Sequence, residues 1–192
     1  MLARADNWFS ISQVRELSRI SSRDQVRRAL ARLSADGVLD EERVASMYRY
    51  RFNHKHLLAR PIKEIATTRD RFIDQLASAL AAWPEVVYAA LFGSAARGDM
   101  HHDSDIDIFL VRSDDQLFSD LSEDAWQERV LDLEREVTRW TGSSTNVLHL
   151  RVSEVEAAGD VDALANIQRE GIPLIGDKVW LVKALHRGRK SS

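Results

Sequence analysis

The chain has 192 residues, enough for one large domain or two small ones, and 44% of them are hydrophobic, which favours a packed core over disorder. It contains no cysteine, which excludes disulfides, thiolate catalysis and cysteine-type zinc sites. Net charge is -3 but uneven: residues 1–60 carry 12 Lys and Arg against 7 Asp and Glu, and the remainder 15 against 23, so a basic front and an acidic back imply two domains with different partners.

No leader or membrane span is read, and charges interrupt every apolar run, so a cytoplasmic location is expected. Ser10 to Leu17 reads as a helix, with Ser10 and Gln13 as a capping box and Ile11, Val14 and Leu17 on one face. A second helix opens at Ser22, with Gln25 three places on. Val26, Ala29, Leu30 and Leu33 form its apolar face, and Arg23, Arg27, Arg28 and Arg32 occupy much of the rest. Gly37 stands where a left-handed helix end is expected, and Val38-Leu39 follows as a short strand, with a charged turn at Asp40–Arg43 after it. A turn near Glu41–Ala45 separates this strand from Met47–Phe52, where aromatics alternate with Arg49 and Arg51 as in a half-buried strand. Helix, short turn, basic helix and hairpin suit a DNA-facing surface, with arginines on phosphate; a plain solvated face is the alternative.

His54 and His56 are read as an ordinary junction, because no third ligand for a metal lies nearby. Pro61 is expected in the first turn of a long helix running to Trp83, with Ile65, Phe72, Leu76, Ala79 and Leu80 on its core face and Pro84 as its stop. Val86–Phe92 reads as a strand ending at a Gly93-Ser94 turn, where backbone amides are unobstructed. Asp105 and Asp107 alternate with Ile106 and Ile108, so at strand periodicity both carboxylates share a face. Two such acids repel unless a divalent cation lies between them.

Leu121–Trp140 is the next helix, with Leu121, Trp126, Val130, Leu133 and Val137 as its buried stripe. Thr145–Leu150 is a strand, and Ser153–Gly159 a short turn or helix. Val161–Glu170 is a helix capped by Gly171, Ile172–Ile175 an edge segment, and one more helix runs to about Leu185.

The Gly93-Ser94 turn would offer amides and a hydroxyl to nucleotide phosphates, Arg97 would be a bidentate phosphate donor, and Asp105 and Asp107 would hold Mg2+. No Gly-Lys-Ser/Thr follows, so this is no P-loop, and the glycine spacing excludes a dinucleotide fingerprint. His101 and His102 precede the acids as loop residues.

The run Gly93-Ser-Ala-Ala-Arg97-Gly98-Asp99, followed by Asp103-Ser-Asp105-Ile-Asp107, is similar to the signature of the DNA polymerase beta-type nucleotidyltransferases. It looks closest to the minimal nucleotidyltransferase (MNT) domains, over about residues 68–176. Leu164-Ala-Asn-Ile-Gln-Arg-Glu-Gly171-Ile-Pro-Leu-Ile resembles the helix and strand that close such domains. The resemblance implies an α+β mixed-sheet domain that transfers a nucleotide from ATP or another NTP to a hydroxyl with Mg2+. Gly93 and Ser94 would bind phosphate, and Asp105 and Asp107 metal. The family's third carboxylate, on a later strand, falls at Asn146, an amide that cannot take a proton as a carboxylate does. His149 faces the other way by alternation, and Asp132, Glu134 and Glu136 stay open as substitutes.

Residues 8–58 resemble winged helix-turn-helix domains of the MarR/ArsR type, on Gln25-Val-Arg-Arg-Ala-Leu-Ala-Arg-Leu-Ser-Ala-Asp-Gly37-Val-Leu39 and Tyr50-Arg-Phe-Asn53-His-Lys-His56-Leu-Leu58. This resemblance implies double-stranded DNA as partner, with Arg23, Gln25, Arg27 and Arg28 as contacts, and a homodimer on a palindromic site. The expected organisation is therefore α+β: a winged helix-turn-helix domain (1–60), a connecting helix (61–84), a small mixed-sheet nucleotidyltransferase domain (85–176), and a C-terminal helix with a basic tail (177–192). Minimal nucleotidyltransferases are frequently antitoxins that modify a HEPN-type toxin, which implies a possible protein partner. Three functions follow: nucleotidyl transfer to a protein or small-molecule hydroxyl, a DNA-binding regulator with a nucleotide-binding but inactive domain, and, ranked last, antibiotic modification.

Overall fold

Apolar periodicity and caps set the first elements. The structure, a computed structural model, describes residues 1–18, 20–97, 104–115, 121–158 and 162–188. The chain divides into two compact units, Met1–Arg71 and Phe72–Ser192.

In the first unit a single turn at Leu2–Arg4 leads to β1 (Phe9–Ser10) and α1 (Ile11–Ser18). The Ser10 hydroxyl accepts from Gln13 N at 3.3 Å, and Gln13 Oε1 accepts from Ser10 N at 2.8 Å, a reciprocal capping box. Helix α2 (Arg23–Ala35) is capped by Ser22, whose hydroxyl accepts from Gln25 N. Gly37, at φ +73°, turns the chain into β2 (Leu39–Val44), which pairs antiparallel with β3 (Met47–Phe52). Strand order is β1-β3-β2. Val14, Val26, Leu30, Leu39, Tyr50, Phe52 and Ala59 form the core. Leu17 and Leu33, expected on apolar faces, are exposed.

The hairpin tip lies at Ala45-Ser46 and not at Glu41–Ala45, with Ala45 left-handed at φ 55°. Asp40 and Glu42 stand opposite Arg51 and Arg49 and pair with them across the strands, at 3.1 and 2.9 Å, which keeps the acids within β2. The long helix is two, α3 (Ala59–Ala66) and α4 (Thr68–Ala81). The Thr67 hydroxyl donates to the Lys63 and Glu64 carbonyls, and Thr68 also donates to Glu64, so side chains occupy acceptors at the break. Ile65 lies on α3 and is 74% exposed, not core.

The second unit is a four-stranded mixed sheet in the order β6-β5-β4-β7, built from β4 (Val86–Phe92), β5 (Ile106–Arg112), β6 (Thr145–Arg151) and β7 (Ile172–Ile175). β5 is antiparallel to β4 and parallel to β6; β7 joins the free edge of β4 and carries Pro173 there. Alternation sends Ile106, Ile108 and Leu110 to one face, where they pack with Leu76 and Leu80 of α4 and with α6 (Glu123–Thr141) through Trp126, Val130, Leu133 and Val137. Phe109 and Val111 face the other way, onto α7 (Val152–Ala158), α8 (Asp162–Glu170) and α9 (Lys178–Gly188), through Val155, Leu164, Ile167 and Leu181.

Gly93-Ser94, expected as a turn, opens the short helix α5 (Gly93–Arg97), with Gly93 left-handed at φ +70°. Gly171 is not left-handed: a Cβ there would meet the Ile167 carbonyl oxygen at 2.4 Å, so close approach to α8 requires the glycine. Buried Arg112 lies over the Trp126 ring and pairs with Glu123, which also binds Arg151 at 3.0 Å. No helix of the described residues is long and apolar enough to cross a membrane.

Candidate functional site

The parallel pairing of β5 and β6 brings the sequence-predicted residues together. Asp107, second in β5, stands in register with Asn146 of β6 on one side and Phe92 of β4 on the other. Asp105 lies just before β5 and is exposed. The Asn146 amide donates to Asp105 at 3.4 Å and stands in register with Asp107, so it lies beside both carboxylates at one end of the sheet.

Gly93 forms the floor. A Cβ built on it would stand 2.2 Å from Asp107 Oδ2 and 3.2 Å from its Cγ. The Asp107 carboxylate rests on space that any side chain would fill, and the left-handed backbone independently favours glycine. Burial pushes the Asp107 carboxyl up from its ordinary value; the Asn146 hydrogen bond opposes this, the Asp105 charge adds to it, and the Arg97 charge opposes it. Ser94 is half-buried at the second position of α5, and Arg97, at its end, is exposed and pairs with Glu170 of α8 at 3.2 Å.

Two carboxylates are hard oxygen donors, suited to Mg2+ and not to a soft metal. The fit shows in the Asp105 and Asp107 pair and in the cradle at Gly93 that a Cβ would fill. Among the described residues no three of His, Cys, Asp and Glu cluster as a metal site. His149 points to the opposite face, where it accepts from Trp126 Nε1 at 3.2 Å, and burial lowers its pKa. Glu134 accepts from Val147 N at 2.9 Å and Asp132 pairs with Arg135, so neither joins the aspartates. Gly98, Asp99, His101, His102 and Asp103 lie outside the described residues.

Beside the aspartates a cleft of about 480 Å3 is lined by Phe92, Gly93, Arg97, Ala163, Asn166, Arg169 and Glu170. Sequence reasoning assigns no role to the three polar residues of α8 in this lining. The 164–175 stretch is the one signal that points to them, and only the packing of α8 against α5 brings Asn166, Arg169 and Glu170 to Gly93.

In the first unit Arg23, Gln25, Arg27, Arg28 and Arg32 are exposed along α2, with Arg27 3.6 Å from Asp24. Arg49 and Arg51 are half-buried, paired with Glu42 and Asp40, and stacked on Trp8 at 5.8 and 4.8 Å from the ring centre. His54 meets Asp6 at 3.1 Å, while His56 Nδ1 accepts from Leu58 N. A second cavity, about 500 Å3 and almost wholly apolar, lies between α2 and α3.

A crystal structure described as a toxin–antitoxin with AMP-PNP is 19% identical, with a TM-score of 0.42, covering 64% of this chain and 85% of that chain. One of the toxin–antitoxin MntA-HepT is 15% identical, with a TM-score of 0.40 and the same coverage. No curated protein matches the chain. The family profile described as "Polymerase beta, Nucleotidyltransferase" matches residues 74–177. That span is more than half of the sequence and holds the glycine floor, both aspartates and the whole sheet, so the chain belongs to the polymerase beta nucleotidyltransferase family.

Proposed function

We propose that the second unit binds a nucleoside triphosphate with Mg2+ and transfers its nucleoside monophosphate to a hydroxyl of a protein or small molecule. The observation that carries this is the Asp105 and Asp107 pair above the Gly93 floor, beside a cleft of about 480 Å3. Asp105 and Asp107 would hold the metal, which when bound neutralises phosphate charge and orients the reacting oxygens. Gly93 leaves room for the Asp107 carboxylate, and Ser94 and Arg97 would supply donors to phosphate. Asn146 orients both carboxylates through its amide protons but cannot accept the proton of an attacking hydroxyl. With an amide in place of a carboxylate at this position, slow turnover is the expected outcome.

The first unit we read as a winged helix-turn-helix domain that binds double-stranded DNA as a homodimer. Support comes from the exposed arginine row of α2 beside an antiparallel hairpin. A second reading of the whole chain is a DNA-binding regulator whose nucleotidyltransferase domain binds nucleotide without turnover; Asn146 between the aspartates favours it. The resemblance to MNT domains extends the proposal to an antitoxin that modifies a HEPN-type toxin.

Labelled ATP, Mg2+ and the product of a neighbouring gene test the choice. Label on that partner, lost in D105A and D107A, supports transfer. No label with any nucleoside triphosphate, alongside salt-sensitive binding to upstream DNA, supports the regulator.

A further inference from the structure

The cleft beside the aspartates has an unusual electrostatic arrangement. Glu170 spreads its carboxylate between two guanidiniums: Oε2 accepts from Arg97 at 3.2 Å, and Oε1 accepts from Nε and Nη2 of Arg169 at 3.2 and 3.1 Å. Asn166, one turn earlier on α8, accepts from Arg169 Nη2 at 2.7 Å and fixes that side chain. All four side chains line the cleft, together with Gly93, over which the Asp107 carboxylate rests. The paired arginines hold the Glu170 carboxyl below its ordinary range.

We infer that Arg169 is a polyphosphate-binding residue of this cleft, and that Glu170 is a displaceable anion holding Arg97 and Arg169 in place until phosphate takes over. The inference rests on the reading of the aspartate cleft as a nucleotide site. Carboxylate and phosphate oxygens present the same charge and the same bidentate geometry to a guanidinium, and phosphate brings more acceptor oxygens. A triphosphate with its metal at Asp105 and Asp107 would still carry negative charge, and Gly93, against which Asp107 rests, lines the same cleft as Arg97. The next cationic groups of the cleft lining are those that Glu170 now holds. Their exposure makes the exchange inexpensive: Arg169 is 67% exposed and Glu170 34%. Asn166 then acts as a positioning residue, keeping Arg169 in place after Glu170 swings away.

The test is calorimetric titration of wild type, R169A, R169K and E170Q with MgATP, and separately with inorganic tripolyphosphate in the absence of magnesium, after circular dichroism confirms each fold. R169A should weaken both ligands about tenfold, the loss of one charged hydrogen bond, and R169K should fall between. E170Q should tighten both, because the competing carboxylate is gone. A purely structural bridge gives the opposite sign, with E170Q weakening binding alongside R169A. The inference is overturned, and the nucleotide site left standing, if wild type binds MgATP, D105A loses it, and R169A binds as wild type or E170Q fails to tighten. Failure of wild type to bind MgATP overturns both.

Discussion

Replacing Gly93 with alanine separates two costs that the structure places on one residue. The first is backbone: at φ +70° a Cβ costs about 1–2 kcal/mol, or roughly 4–8 °C in Tm for a domain of this size. The second is local. The new methyl would stand 2.2 Å from Asp107 Oδ2, while Asp107 Cβ, at 3.5 Å, is in ordinary contact. The backbone of β5 can therefore stay, and the carboxylate must rotate off the floor. Gly142 gives the control. It has φ +74° at the end of α6, and nothing lies within 4 Å of an added Cβ. G142A should share the loss in Tm and bind MgATP as wild type, whereas G93A should lose at least about tenfold in affinity, the worth of one charged hydrogen bond. Differential scanning fluorimetry and calorimetric titration read the two effects separately. Equal MgATP affinity in G93A and G142A would refute the reasoning that Gly93 makes room for the Asp107 carboxylate.

N146D puts a third carboxylate 3.4 Å from Asp105; without metal, like-charge repulsion at an exposed site should cost about 1 kcal/mol of stability, roughly 4 °C in Tm, Mg2+ should restore it, and transfer should speed up, whereas a metal-independent Tm with no gain in transfer contradicts the placement of Asn146. Glu123 is held below the ordinary carboxylate range by Arg112 and then Arg151, so its contribution to stability is complete above that range and lost as pH falls through the depressed value. E123Q should accordingly melt below wild type at neutral pH, and the gap should close in acid; a gap independent of pH refutes the pairing. R27A/R28A should lower the slope of log affinity for DNA against log salt by about 2, one for each phosphate that the variant leaves unneutralised, measured by fluorescence anisotropy. R51A should instead lower Tm, since Arg51 is held by Asp40 and Trp8, and a larger salt-slope effect for R51A than for R27A/R28A would reverse that assignment.

Local chemistry is legible wherever a side chain acts on its own neighbourhood. The Ser10–Gln13 box, the Ser22 cap and the left-handed Gly37 follow from spacing alone. So does the opposite facing of Ile108 and Asp107, since a strand offers only two faces. Where elements compete, periodicity misleads. The apolar pattern from Ile65 to Leu80 continues across Thr67, yet the hydroxyls of Thr67 and Thr68 capture carbonyls and divide the helix. The acids near the hairpin look like turn residues, but ion pairs with Arg49 and Arg51 carry them into the strand. Gly93-Ser94 gives no sign of the short helix it opens, because its glycine answers to the Asp107 carboxylate, 14 positions on. Arg169, Asn166 and Glu170 lie on a helix that the sequence ties to the site only through the 164–175 resemblance; which of its exposed side chains meet the cleft depends on how α8 packs against α5.

The most direct measurement is titration of wild type and D107N with a non-hydrolysable ATP analogue, with and without Mg2+. Wild type should bind at least about tenfold more tightly with Mg2+, and D107N should bind alike in both conditions. Equal binding by wild type with and without the metal, or a magnesium effect that survives in D107N, would contradict the assignment of the aspartate pair as the metal site of a nucleotide cleft.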